Sequence, residues 1–465
     1  MSKLLRIASL ILALLLVVSL FSACGQQTTV SWESYDDVSY VTVSGEEDEN
    51  GDADADTQSS KTDKTDKTSS TASKVQTQNK DTNGRFDNLN YKGKTVKLLV
   101  WYNPDQFEQD IYDQFEKITG AKIKFVQVGT SDNKLAALVA ANDAPDAAMM
   151  TQENFPSYIT KKLVQPLTKF IDKSKDTWLA YDIMDDIRYN NEYYGITDHF
   201  WGDTLWVYYN KDLFDKNLEI DKDPGELYKE GKWTWDTFYD LAAKMTIKDK
   251  QGNITQYGSI GVWTNAFALS AGANVITTNN GKMTNTLNTQ QMKDAAAMEK
   301  KLNAGGYFQS AAGDFSNGNV AMYFYPQYPI RSPSMWKKNT FNWDVVPFPT
   351  YTGGTHYNPA AYQFGVVPKK AKNAEMGYML LNYRAYCQEN MTTLTETPAE
   401  WKAMYKKIAT GKTNSSLDIG VLGGIWGLYS ELADSKTNTQ TTIDSWIPKI
   451  DGKIKEYEKE MESYK

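Results

Sequence analysis

Few side chains in this sequence have the types and spacing that make or break bonds. Asp48, Asn50 and Asp52 alternate as the first ligands of a calcium loop do, but Ala53 stands where the sharp turn needs glycine. The chain has two His and two Cys in 465 residues. That is too few for a Cys/His zinc site, a disulfide framework or a mechanism built on several histidines. There is no Gly-x-Ser-x-Gly elbow and no phosphate loop, and no cofactor or metal is expected. What remains is the chemistry of recognition: carboxylates and amides that pair polar groups, and aromatic faces that stack. Such residues gather at Trp101-Tyr102-Asn103-Pro104-Asp105 and at Thr151-Gln152-Glu153-Asn154. The formal net charge of −8 argues against nucleic acid as a partner, because phosphates need a basic face.

Both clusters end strand-like runs. Thr95 to Tyr102 is nearly continuous in apolar residues, and a helix follows with Phe107, Ile111, Phe115 and Ile118 at helical spacing before Gly120. Ala121 to Val128 reads as a second strand, Ser131 to Ala141 as a capped helix, Pro145 to Met150 as a third strand and Phe155 to Lys162 as a helix. Alternation of this kind predicts an α/β fold with a mostly parallel sheet covered on both faces. Ligands of such sheets sit beyond the carboxyl ends of the strands, where the two clusters lie. Extended stretches follow at Tyr194–Lys211, Asn319–Tyr325 and Tyr362–Pro368, with helices at Trp235–Met245, Gln290–Leu302 and Ala374–Asn390. Cys387 reads as a small buried apolar residue. Thr397-Pro398-Ala399-Glu400 has the pattern of a capping box, and a last helix begins near Thr442.

The amino-terminal region is a different material. Lys3 and Arg6 precede an apolar run from Ile7 to Phe21, too short for a membrane span of roughly 20 residues and suited to a secretory signal. The run ends Leu20-Phe21-Ser22-Ala23-Cys24-Gly25, which resembles the bacterial lipoprotein cleavage box. That resemblance implies a signal peptide over 1–24 and a lipid anchor on Cys24, where two acyl chains hold a protein stably at a membrane. Residues 25–90 carry an acidic stretch and a Lys-Thr-Asp repeat with little apolar area to bury. They are expected to form a disordered tether. The remainder is longer than one core comfortably fills, so two lobes are expected.

From about residue 93 to 460 the chain resembles the extracellular solute-binding proteins of carbohydrate ABC transporters, the family that includes maltose-binding proteins. Four segments carry the resemblance: Lys97–Trp101 leading to Phe115–Gly120; Ala144-Pro145-Asp146; Leu205–Phe214 around Tyr209-Asn210-Lys211-Asp212-Leu213-Phe214; and Phe315–Met322 followed by Val345–Pro349. Gly231–Asp236 also looks like a helix start seen in sugar-binding members. The resemblance implies a periplasmic-binding-protein-like fold, two α/β lobes joined by crossing strands with a ligand cleft between them. It divides the chain into lobe 1 (91–200 and 345–390) and lobe 2 (201–344 and 391–465), with the three extended stretches as crossovers.

The same resemblance implies cleft residues. Asp105, Glu153 and Asp203 stand at acidic positions of maltose-binding proteins, and Tyr328 and Trp426 stand where sugar-stacking tryptophans occur. Met150, Gln106 and Asn154 depart from that pattern, replacing a stacking Trp, a Lys and an Arg, so maltose itself is not implied. Tyr102, Trp201, Trp263, Gln327 and Tyr362 join the candidates because they lie near strand ends or crossovers. Several have a plainer rival role. Asp105 could be a helix N-cap, Asp203 could cap a turn, and in a chain that is 13% aromatic a Trp more often packs a core. Trp101, Trp206, Trp233 and Trp235 are assigned to packing. His199 and His356 are assigned to the surface or to hydrogen bonding.

The function these expectations imply is capture without bond breaking. An oligosaccharide would be held by lobe closure and delivered to ABC permease transmembrane subunits, at the outer face of the cytoplasmic membrane of a Gram-positive-type bacterium, by a lipid-anchored monomer. One rival keeps the fold and changes the ligand to a polyamine, amino acid or peptide, or makes the protein a sensor partner. A second rival is a surface glycosidase, which would need two carboxylates at a spacing that sequence does not supply.

Overall fold

The computed structural model describes residues 82, 84–127, 133–152, 155–200, 202–261, 265–310, 314–390, 394, 396–415 and 425–462. In chain order the strands are β1 (Thr95–Val100), β2 (Lys122–Gln127), β3 (Ala147–Thr151), β4 (Arg188–Tyr189), β5 (Glu192–Tyr193), β6 (Gly202–Asn210), β7 (Ile247–Lys248), β8 (Ile254–Gly261), β9 (Ile276–Asn279), β10 (Lys282–Asn285), β11 (Phe308–Ser310), β12 (Val320–Pro326), β13 (Trp343–Pro347), β14 (Asn358–Val366) and β15 (Thr413–Ser415). The longer helices are α1 (Gln106–Thr119), α2 (Trp235–Met245), α3 (Gln290–Gly305), α4 (Ala374–Glu389), α5 (Ala399–Ala409), α6 (Trp426–Ala433) and α7 (Thr439–Glu462). No helix among the described residues is long and apolar enough to cross a membrane.

β1 pairs in parallel with both β2 and β3, Leu98 standing opposite Phe125 and Ala147. Its Val96, Leu98 and Val100 enter one core and Leu99 another, so both faces are covered. That is why the run is apolar rather than alternating. Asp146, in the turn before β3, accepts from the Lys97 amide at 2.9 Å and the Asn373 amide at 2.8 Å, fastening β1 to the start of α4. In lobe 2, β6 splits its side chains in the same way: Leu205, Val207 and Tyr209 face one core, Trp206 and Tyr208 the other. β12 and β13 both pair antiparallel with β6, and β8 pairs in parallel with β12.

The lobes join where β14 changes partners. Its first half pairs with the start of β6, Asp203 opposite Ala361, and its second half pairs with β3, Met149 opposite Gly365. Gly202 has φ +137°, and a Cβ there would lie 2.5 Å from the Ala361 carbonyl oxygen, so only glycine lets the strands approach this closely.

Several expectations change. Asn319–Tyr325 is not a crossover: β12 lies inside the lobe 2 sheet, between β6 and β8. The lobe boundary at 345 falls within β13, and Phe348 and Tyr351 still belong to the lobe 2 core, so the chain returns to lobe 1 only at β14. The end of α7 leaves lobe 2, since Met461 is buried in a lobe 1 core and its carbonyl accepts from the Tyr189 hydroxyl at 3.2 Å. The expected tether cannot extend to residue 90. Phe86 is buried, with its ring 5.6 Å from that of Trp178, and Arg85 pairs with the fully buried Asp176 at 2.6 Å. Thr397 caps no helix; its hydroxyl donates to the Ile330 carbonyl at 2.7 Å, and Pro398 holds the N-cap position of α5.

Candidate functional site

Asp203 sits in the second position of β6, at the strand crossing. The Tyr328 hydroxyl donates to Asp203 Oδ2 at 2.8 Å, and Gln327 Nε2 donates to Oδ1 at 3.4 Å. Gln327 is fully buried and also donates to the Gly202 carbonyl, while its own Oε1 accepts from the Thr204 hydroxyl. Both partners follow β12, whose register against β6 brings Pro326 opposite Leu205 and so delivers residues 327 and 328 to Asp203. Desolvation pushes the Asp203 carboxyl up to about 6, and the Tyr328 hydroxyl, the Arg331 charge and the Gln327 amide oppose the rise. The pair offers an acceptor and an aromatic ring side by side.

On lobe 1, Asp105 does cap a helix. Its Oδ1 accepts from the Glu108 amide at 2.9 Å. Its side chain stays 54% exposed, and Oδ2 lies 4.0 Å from Arg331 Nη2 of lobe 2. The capping role therefore coexists with an approach of the second carboxylate oxygen to Arg331. The Tyr102 hydroxyl donates to Glu108 Oε1 at 2.8 Å, and the same oxygen accepts from Arg384 in a buried ion pair. Tyr102 is thus held against the first turn of α1.

Tyr362 is enclosed. It is 4% exposed in the lobe 1 core, its amide donates to Gln152 Oε1 at 3.0 Å, and its hydroxyl donates to the Thr413 hydroxyl. It serves the strand crossing and presents no open ring face. Trp426 opens α6, half-buried on the lobe 2 core, its ring 6.2 Å from that of Tyr429. Glu153, Trp201, Trp263 and Cys24 lie outside the described residues, as does Ser131. Among the described candidates the structure brings Asp203, Gln327 and Tyr328 into one hydrogen-bonded group, with Asp105 reached through Arg331.

Sequence reading missed the charged residues behind this group. Arg331 is three positions after Tyr328 on the one-turn helix Tyr328–Arg331, a helical spacing that was the available signal. Asp198 is fully buried just before the crossing. Its Oδ1 accepts from the Phe200 amide at 2.8 Å, and burial with the nearby Glu389 charge pushes it up to about 8. The His199 ring lies between Glu389 and Asp182, each at 3.2 Å; burial opposes its charge, but the two carboxylates push it up to about 10. His356 Nδ1 accepts from the Tyr351 amide at 3.2 Å. A depression of about 530 Å³ lies elsewhere on lobe 2, lined by Lys211, Asp223 and Glu226 among others, and contains none of the cleft candidates.

The model of the family described as bacterial extracellular solute-binding protein matches residues 101–383. No curated protein matches the sequence. Among solved structures, one similar to this chain is an ABC substrate-binding protein from Listeria monocytogenes in complex with cycloalternan, at 18% identity and TM-score 0.59, covering 78% of this chain and 98% of that one. Another is the maltose-maltodextrin binding protein of Alicyclobacillus acidocaldarius, at 16% identity and TM-score 0.56, covering 77% and 100%. A third is the galacto-N-biose/lacto-N-biose I-binding protein of the ABC transporter from Bifidobacterium longum, at 16% identity and TM-score 0.58, covering 78% and 97%. These likenesses identify the fold as two-lobed and periplasmic-binding-protein-like.

Proposed function

The chain belongs to the bacterial extracellular solute-binding proteins, whose family model spans more than half of it, and from that premise we propose that it captures an oligosaccharide between its lobes for an ABC transporter. The observation that carries the reading is the Asp203–Tyr328 pair at the strand crossing, a partly buried carboxylate fixed beside an aromatic ring. Sugar hydroxyls need such an acceptor and sugar ring faces need such a platform. That the similar structures hold cycloalternan or lacto-N-biose is a property of those proteins; it supports the choice of glycan class for the first assays.

The mechanism is a population shift. A ligand touching Asp203 and Tyr328 on one side and Asp105 on the other binds the closed arrangement better than the open one, so its binding raises the closed population. No bond is broken. The membrane permease then receives the ligand from the closed lobes. Anchoring through acyl chains on Cys24 would keep the protein, acting as a monomer, at the outer face of the cytoplasmic membrane, and residues from 25 to the start of the fold would supply reach.

The rival with a cationic ligand is disfavoured by Arg331, a guanidinium already beside Asp105. Titration calorimetry with maltotetraose, mannotriose, lacto-N-biose, spermidine and free amino acids tests the reading. We expect saturable binding of at least one glycan and none of spermidine. A response to spermidine alone, weakening with added salt, moves the protein to the rival class.

A further inference from the structure

Resting on the glycan reading above, we propose that Arg331 is itself a ligand-contacting residue, presented from lobe 2 across the cleft, whose Nε–H is reserved for an acceptor oxygen of an uncharged polyol. Four observations meet at this side chain. It is 12% exposed, and Nη2 lies 4.0 Å from Asp105 Oδ2, too far for a hydrogen bond. Its Cζ lies 4.3 Å from the centroid of the Phe107 ring. Its Nε is buried and has no hydrogen-bond partner among the described residues. It follows Tyr328 by three residues on the same helical turn, so one backbone turn presents both the Asp203 partner and the arginine.

An orphaned guanidinium N–H inside a protein is costly, because the desolvation of a charged donor goes unreturned. Phe107 and Asp105 belong to lobe 1 and Arg331 to lobe 2, so parting of the lobes at this point uncovers the donor and closure over a ligand supplies its acceptor. The surrounding groups explain which ligand. Asp105, Asp203 and Glu108 in their ionised forms only accept hydrogen bonds, whereas Arg331 and Arg384 only donate. Arg384 is already engaged with Glu108. A hydroxyl does both at once, giving its proton to a carboxylate and its lone pair to the guanidinium, and each bond polarises the other. Neighbouring hydroxyls on one ring can therefore satisfy Asp203 and Arg331 together. An ammonium ligand would meet like charge at Arg331, and a carboxylate ligand would meet it at Asp105 and Asp203.

The test compares the wild type with Arg331→Lys and Arg331→Met, titrated with maltotetraose, mannotriose and lacto-N-biose, with thermal unfolding measured in parallel. Arg331→Lys keeps a cation over Phe107 and removes the Nε–H, so it separates the donor from the charge and guards against simple misfolding. We expect both variants to bind the wild type's glycan about ten- to a hundred-fold more weakly, the range of one hydrogen bond to a charged group. The Lys variant should unfold within a few degrees of the wild type. A Lys variant at wild-type affinity overturns the assignment of Arg331 and leaves the glycan reading standing. A wild type that binds none of the three glycans removes both.

Discussion

Asn191 and Asn280 exchange hydrogen bonds between the tips of two hairpins on different lobes. The Asn191 amide donates to Asn280 Oδ1 at 2.8 Å, and Asn280 Nδ2 donates to Asn191 Oδ1 at 3.3 Å. The lobe 1 hairpin, β4–β5, turns through Asn190 and Asn191, both with positive φ; the lobe 2 hairpin, β9–β10, turns through Asn280 and Gly281, again both positive. Two tight turns of the kind that suit a two-residue hairpin therefore meet tip to tip, outside the sheet that holds the crossing strands.

This contact couples the lobes independently of any ligand. A double-mutant cycle of Asn191→Ala and Asn280→Ala should show a coupling of about 0.5–1.5 kcal/mol in unfolding, the net worth of a hydrogen bond. The Asn191 donor is its main-chain amide, so the cycle reports the side-chain arm, and Asn280→Ala alone should carry most of the loss. Strictly additive single variants would mean that the side-chain arm contributes nothing, leaving only the main-chain bond to Asn280 Oδ1.

The pair of Arg85 with Asp176 marks where along the chain the folded part starts. Asp176 is fully buried and accepts from Arg85 Nε, the Tyr378 hydroxyl, Asn382 Nδ2 and the Asp172 amide. Removing the guanidinium leaves a buried charge without its counter-ion. Arg85→Ala should cost about 3–5 kcal/mol in denaturant unfolding. A chain shortened to begin at residue 92 should lose at least as much, while one beginning at residue 82 should match the full protein. Equal stability of all three would return residues 84–90 to the expected tether.

That boundary shows why part of the fold was legible and part was not. β1, α1, β3 and α2 were readable because apolar runs and caps are local signals: Asp105, Thr234 and Gly120 mark helix ends in the sequence itself. Arg85-Phe86 follows a long polar stretch and has no periodicity; only Trp178, Tyr383 and Asp176, far along the chain, give it a place. β12 looked like a crossover because an interior strand and a linking strand are equally extended and apolar. Asp203 and Tyr328 were singled out through the family pattern, whereas Arg331 and Asp198 were not, since a charge buried by tertiary contact carries no local mark.

Asp198 makes stability depend on pH. Its carboxyl is raised to about 8, so folding favours the protonated form. Its contribution is fully present below the ordinary carboxylate range and is lost as pH rises toward about 8. The groups around it are Glu389, Arg384 and His199, and Glu389 adds repulsion once both are ionised. Asp198→Asn keeps an acceptor for the Phe200 amide and removes the charge. The wild type should lose about 2–4 kcal/mol relative to this variant between pH 5 and pH 8. Parallel unfolding curves for the two proteins across that interval would show that Asp198 is ionised without penalty.

Asp203 should set the pH dependence of binding rather than of folding alone. Its carboxyl lies near 6 because desolvation outweighs the help of Tyr328, Arg331 and Gln327. The ionised form offers two charged acceptor oxygens, whereas protonation turns one of them into a donor and removes the charge, so affinity should be full above about pH 7 and fall as pH drops through 6. Tyr328→Phe removes a hydrogen bond that favours the carboxylate, so it should move the midpoint of that fall upward while keeping the ring as a platform. Tyr328→Ala should lose the platform as well and weaken binding at every pH. Asp203→Asn should flatten the profile and bind about ten- to a hundred-fold more weakly at pH 7.5, the worth of one charge-assisted hydrogen bond. Calorimetric titration of a bound glycan from pH 5 to pH 8 distinguishes these cases. A profile unchanged by Asp203→Asn would place the titrating group elsewhere, and an unchanged affinity would remove Asp203 from the site.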